Sequence, residues 1–180
     1  MVRTGLAARR CRGECRVNEF GSQGDGDGQE IRGRMAWQQA IKELLGAPGA
    51  VISMYSPDFS DWPLNQADVI AALDAWGQAR RQPCVRMLAR HFDVVQRDAP
   101  RFAQWRTRFA HLVVCHVLPE EFAAPQECLL LRNRGLLALP SQTFRLGSWC
   151  SGARLHAAVG LFDQVWQQSE PGFPAQALGL

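Results

Sequence analysis

From residue 35 onward the apolar spacing alternates between helical and strand-like, and then strands follow one another directly. That succession limits the chain to few architectures. Trp37, Ile41, Leu44 and Leu45 lie at helical spacing, in a helix that stops near Gly46, Pro48 and Gly49. The run AVISMY, residues 50–55, is short and continuously apolar, as expected of a strand buried on both faces. After the loop SPDFSDWPL, Asn65 is placed to cap a helix with Asp68 in its first turn and Val69, Leu73 and Trp76 on one face. CVRMLA, residues 84–89, is the second strand. Residues 93–110 read as helix interrupted at Pro100, with Phe102, Trp105 and Phe109 on one stripe, and residues 111–118 as the third strand. A hairpin follows, residues 127–132 and 136–140 around Asn133-Arg134-Gly135, a turn that favours positive φ at Gly135. Residues 143–149 give one more strand, and Ser151 caps a closing helix with Leu155, Val159, Phe162 and Trp166 on one face. The order α-β-α-β-α-β-β-β-α predicts a three-layer α/β fold, a mixed but mostly parallel sheet with helices on both faces and right-handed crossovers.

Composition sets the surroundings. Residues 1–34 mix arginine, glycine and acids, and GSQGDGDGQ reads as a flexible spacer. This segment is expected to be a disordered extension, with Met35 an alternative first residue. The domain is expected over 35–168 and an extended tail over 169–180. The extension holds seven arginines against five acids, and the remainder thirteen basic against twelve acidic side chains. A body this near neutrality shows no broad electrostatic footprint for nucleic acid, so that partner is not expected. No stretch approaches the ~18 apolar residues of a membrane span. Cys84, Cys115 and Cys128 sit in apolar runs as small hydrophobes, and no C-x-x-C pair occurs. Neither a metal nor a disulfide framework is expected, and a reducing cytoplasm fits best.

The stretch QECLLLRNRGLLALPSQTFRLGSWC, residues 126–150, has strand, tight turn, strand and then a Gly147-Ser148 pair before the last helix. That layout resembles one half of the phospholipase D superfamily, whose motif is H-x-K-x4-D followed by G-S-x-N. The loop SPDFSDWPL, the phrase APRFAQWR and the ending VWQQSEPGFPAQALGL further resemble an uncharacterised bacterial family with a phospholipase D-like domain, over residues 36–180. The resemblance implies a phospholipase D-like fold, and since active members pair two such halves, a homodimer is the implied assembly. The superfamily's chemistry needs a histidine nucleophile, a lysine to neutralise phosphate oxygens and an acid to orient the imidazole. With Asn133 at the acid's place, the histidine falls on Gln126 and the lysine on Cys128. The only lysine is Lys42, and no H-x-K occurs. Phosphodiesterase activity by that mechanism, and catalysis generally, is therefore not expected, nor is a cofactor.

Other residues offer binding chemistry. Open α/β sheets take ligands beyond the carboxyl ends of their strands. Asp58, Asp61, Trp62, Arg90, His91 and Asp93 fall there, a candidate polar pocket with His91 suited to proton transfer. The bland alternative is helix capping and surface ion pairing. Arg101, Arg106 and Arg108 gather on the middle helix as candidate phosphate contacts, or as the wet face of an amphipathic helix. The apolar tail either straps across its own domain or is captured by a partner. The first functional expectation is a catalytically degenerate domain that binds a phosphate-containing ligand or a protein. An enzyme with relocated acid–base chemistry around Asp58, Asp61 and His91, and a weak nucleic-acid binder through the middle-helix arginines, are the alternatives.

Overall fold

A computed structural model describes residues 27–46, 49 and 51–175. Its elements in chain order are β1 (Glu30–Arg32), α1 (Arg34–Gly46), β2 (Ile52–Tyr55), α2 (Ala67–Gln78), β3 (Val85–Ala89), α3 (Asp93–Asp98), α4 (Pro100–Arg108), β4 (Val113–Val117), β5 (Cys128–Leu130), β6 (Gly135–Leu139), β7 (Leu146–Cys150), α5 (Gly152–Trp166) and β8 (Glu170–Pro171). The strands form one sheet in the order β1-β7-β6-β5-β2-β3-β4-β8.

The sheet is mostly antiparallel, which corrects the expectation from the sequence. Only β2–β3 and β3–β4 run parallel. β1–β7, β7–β6, β6–β5, β5–β2 and β4–β8 are antiparallel. Parallel neighbours need a crossover long enough for a helix, and only α2 and the α3–α4 pair supply one. After β4 the chain loops back to the far side of β2, and β5, β6 and β7 follow as a meander through short turns.

The two faces are unequally covered. On one, α1, α2, α3 and α4 contribute Trp37, Leu73, Val95 and Phe102 to the larger core. On the other, α5 alone lays Leu155 and Phe162 against Tyr55, Leu88, Cys128 and Leu137. β2 is buried at every residue, as its unbroken apolar run requires. The helix break at Pro100 falls where the sequence places it, between α3 and α4.

Local expectations change in three places, and the tail takes one of its two alternatives. Gln66, not Asn65, is the N-cap of α2 and makes no side-chain cap bond; Asn65 instead accepts the Arg101 backbone N–H at 3.1 Å and its guanidinium at 3.0 Å. Gly135 has no positive φ among the described glycines. It is required by packing, because a Cβ there would lie 2.8 Å from Cys150 Sγ and 3.0 Å from Leu155 Cδ1. Residues 30–32, inside the segment read as a disordered extension, add β1 to the β7 edge; residues 1–26, with Cys11 and Cys15, lie outside the described residues. Residues 170–173 of the tail dock in cis. Pro171 pairs with His116, the Gly172 N–H donates to the Cys115 carbonyl at 3.0 Å, and Phe173 stacks on Phe92 with centroids 4.9 Å apart. Residues 176–180, with Leu178 and Leu180, lie outside the described residues.

Candidate functional site

Neighbouring strands place one residue each in a row on the α5 face. β2 pairs with β5 at Ser53 and Leu130, and with β3 at Ser53 and Arg86. Arg86 donates from Nε (3.1 Å) and Nη2 (2.9 Å) to Ser53 Oγ, and from Nη1 (2.7 Å) to Asp163 Oδ1 of α5. Its guanidinium lies over the Phe162 ring, 5.0 Å from the centroid. Beyond this row the start of α5, where Gly152 has φ +49°, and the turn after β5 leave a groove of about 730 Å3. Val51, Leu130, Leu131, Leu155 and Val159 form its aliphatic floor, and Arg86, Arg132, Asn133 and His156 its polar rim.

The rim carries an arginine without a carboxylate partner. Arg34, Arg86, Arg97, Arg108, Arg134 and Arg145 each meet a carboxylate. Arg132, like Arg81 and Arg154, meets none among the described residues, and none of the groove-lining residues is itself an Asp or Glu. An unneutralised guanidinium beside an apolar floor suits an anion.

The degenerate motif positions separate. Asn133 is exposed at the turn and lines the groove. Gln126 is exposed and donates to the Ala138 carbonyl. Cys128 is buried beneath α5 with Tyr55, Leu88 and Cys150. Burial pushes its thiol up to about 12 and that of Cys150 up to about 11, so both stay protonated and unreactive near neutrality. The sign for stability follows: a raised folded-state value contributes fully below the unfolded thiol value of 9 and is lost as pH rises toward 11 and 12. Chemical denaturation at pH 8 and pH 10.5 should therefore show a lower midpoint at the higher pH, and a Cys128→Ala, Cys150→Ala double variant should lose less between the two.

At the strand ends the Arg90 and His91 N–H groups both donate to the Pro57 carbonyl, but the candidate side chains take separate partners. Asp58 accepts the Ser60 N–H at 2.9 Å, and Asp61 pairs with Arg34 at 3.0 Å. Arg90 clamps the carbonyls of Leu118, Pro119 and Phe122. His91 stands exposed, 3.7 Å from Glu120. Asp93 is exposed in the first turn of α3. No hydrogen bond or ion pair joins any two of these six residues. Trp62 is buried, not available as a binding surface, and donates to Glu127 Oε1 at 2.6 Å. The middle-helix arginines also part. Arg101 bridges to Asn65, and Arg108 pairs with Asp74. Arg106 is buried, its Nε 3.1 Å from Cys115 Sγ and its guanidinium 4.5 Å from the Phe173 ring.

Trp62 belongs to a second polar cluster that the sequence did not announce. Glu127 Oε2 lies 2.5 Å from Arg145 Nη2, and the Arg145 guanidinium sits 4.1 Å from the Trp37 ring centroid. Asp61 Oδ2 is 4.0 Å from Arg145 Nη1. The Glu127 contact is an ion pair and not an aligned hydrogen bond, since Arg145 Nη2 and Nε both lack a hydrogen-bond acceptor. Its chemistry is that of a clasp, holding the starts of β5 and β7 and the loop after β2 to α1. The groove was also missed, but it left a signal. Ser53 and Arg86 are the single polar residues inside AVISMY and CVRMLA, and their pairing across the sheet accounts for both.

Among the described residues no group of three or more His, Cys, Asp or Glu is placed to hold a metal ion, and no helix is long and apolar enough to cross a membrane. The model of a family described as a domain of unknown function, DUF7931, matches residues 34–178. No curated protein matches the sequence. Among solved structures, TrmBL2, an archaeal chromatin protein whose structure shows a novel mode of DNA binding, superimposes with a TM-score of 0.60 at 16% identity over 81% of this chain. This chain spans about half of TrmBL2 (54%). Nuc from Salmonella typhimurium, a phospholipase D family member, superimposes with a TM-score of 0.50 at 8% identity over 74% of this chain and 89% of its own. The fold is thus phospholipase D-like.

Proposed function

The chain belongs to the DUF7931 family, and we propose that it serves as a non-hydrolytic binding domain that takes a phosphate-containing ligand in the groove between α5 and the sheet. The observation that carries this is Arg132, a guanidinium on the groove rim with no acidic partner among the described residues, next to Asn133 and His156. Arginine forks match phosphate geometry. The absence of hydrolysis is supported by Gln126 and Cys128 at the motif positions, the second a buried, protonated thiol. Asp58, Asp61 and His91 each engage a different partner and none bonds another, which gives an enzyme with relocated chemistry no support. DNA binding is a property of TrmBL2; here the separated placement of Arg101, Arg106 and Arg108 gives it no continuous track.

Isothermal titration of the full chain with inorganic phosphate tests the reading. Binding is expected, with Arg132→Ala weakening it at least fivefold at an unchanged melting temperature, since Arg132 is exposed. Phosphate binding that ignores Arg132→Ala would place the site elsewhere. Turnover of bis(4-nitrophenyl) phosphate by the purified chain would overturn the non-hydrolytic half.

A further inference from the structure

Resting on the groove as a site for a phosphate-bearing ligand, we infer that its natural occupant is a single-chain amphiphilic anion, with the headgroup at Arg132 and an aliphatic tail along the floor. A bare phosphate explains the rim but not what lies beneath it. Val51 is 44% exposed at the groove mouth, and the side chains behind it, Leu130, Leu131, Leu155 and Val159, are all aliphatic. Leu130, Leu131 and Leu155 are buried, so the apolar surface left in water beside the charged rim is that of Val51 and half-buried Val159, and covering it with an apolar chain is favourable. An anionic head on an apolar chain satisfies both parts at once.

The groove's dimensions agree. About 730 Å3 lies within the range of small-molecule sites and exceeds what a phosphate ion fills. Its polar groups converge at one border, with Arg132 and Asn133 on the turn after β5 and His156 opposite on α5. Arg86, tied to Ser53 and Asp163, holds α5 over the sheet and so keeps the floor open alongside it. A nucleic-acid strand fits less well. Single strands are held by aromatic platforms, and no Phe, Tyr or Trp lines the groove, His156 being its single ring; Phe162 and Trp166 lie beneath Arg86, turned toward the sheet.

The test titrates the full chain with dodecyl phosphate below its micelle concentration, and in parallel with inorganic phosphate, dodecyl maltoside and a single-stranded oligonucleotide. Dodecyl phosphate is expected to bind at least tenfold more tightly than inorganic phosphate, and dodecyl maltoside not to compete. Arg132→Ala should weaken dodecyl phosphate at least fivefold, and Val159→Glu, which puts a carboxylate on the half-buried floor, should abolish it. His156→Ala, at an exposed position, serves as a second rim variant should Val159→Glu fail to fold. Equal affinity for the two phosphates overturns the amphiphile while leaving the phosphate site standing. Binding of neither overturns both. Equal binding of dodecyl maltoside, or tighter binding of the oligonucleotide at the same residues, overturns the amphiphilic anion.

Discussion

Arg145→Ala is expected to destabilise the fold by about 3 kcal/mol, the low end of what breaking a buried ion pair costs. The low end applies because the Arg145 side chain keeps 20% of its surface in water, whereas Glu127 keeps 11%. Truncation leaves the Glu127 carboxylate with Trp62 as its remaining hydrogen-bond partner, and strips the guanidinium from the face of Trp37. Because the pair ties the starts of β5 and β7 to α1, the loss should appear as a lower urea midpoint with an unchanged slope. The decisive comparison is the double variant Glu127→Gln, Arg145→Met. It removes both charges, keeps an acceptor for the Trp62 N–H and retains much of the packing on Trp37. Recovery of half or more of the lost stability identifies the uncompensated carboxylate as the cause; no recovery would mean that Arg145 acts through packing alone.

Gly147→Ala should cost about as much, on the order of 2–3 kcal/mol, for a different reason. A Cβ at this position would lie 2.7 Å from both Cε3 and Cζ3 of Trp37, closer than carbon atoms approach. Trp37 is fully buried and cannot swing away, being held between the sheet and the rest of α1. Gly147 is the first residue of the Gly-Ser pair that resembles a catalytic motif. Its glycine is explained by this contact on the α1 face, while Ser148 is buried and donates to the Trp149 carbonyl. Thermal unfolding of Gly147→Ala, alone and with Trp37→Phe, checks the account. The smaller ring should restore part of the loss, and an additive penalty would show that the clash is not with Trp37.

These two residues mark the border between what was legible in the chain and what was not. Trp37 is recognisable as core from helical spacing, and Gly147 as a residue of the strand read over 143–149. That they touch depends on β7 lying next to β6 with its Gly147 facing α1. The same holds for Glu127 and Arg145, each an ordinary loop-side charge in sequence, whose meeting leaves both largely out of water. At the candidate site, Asn133 was singled out through the motif it departs from, whereas Arg86 and Arg132 were hidden. A strand residue's neighbours are set by register with distant strands, and no local pattern encodes register.

By itself the sequence determined where the longer helices and strands lie, which residues face a core and where Pro100 breaks a helix, because periodicity and steric exclusion act over a few residues. Tertiary structure alone decided strand direction. Helical crossovers join only the neighbours β2, β3 and β4, and the short links between β5, β6 and β7 require antiparallel pairing there. It also decided the edges, since β1 and β8 are three and two residues long and exist only by pairing with β7 and β4. Finally, it decided the groove, whose floor and rim come from β2, β3, β5 and α5 and acquire a shared chemistry only when the sheet brings them within reach of one ligand.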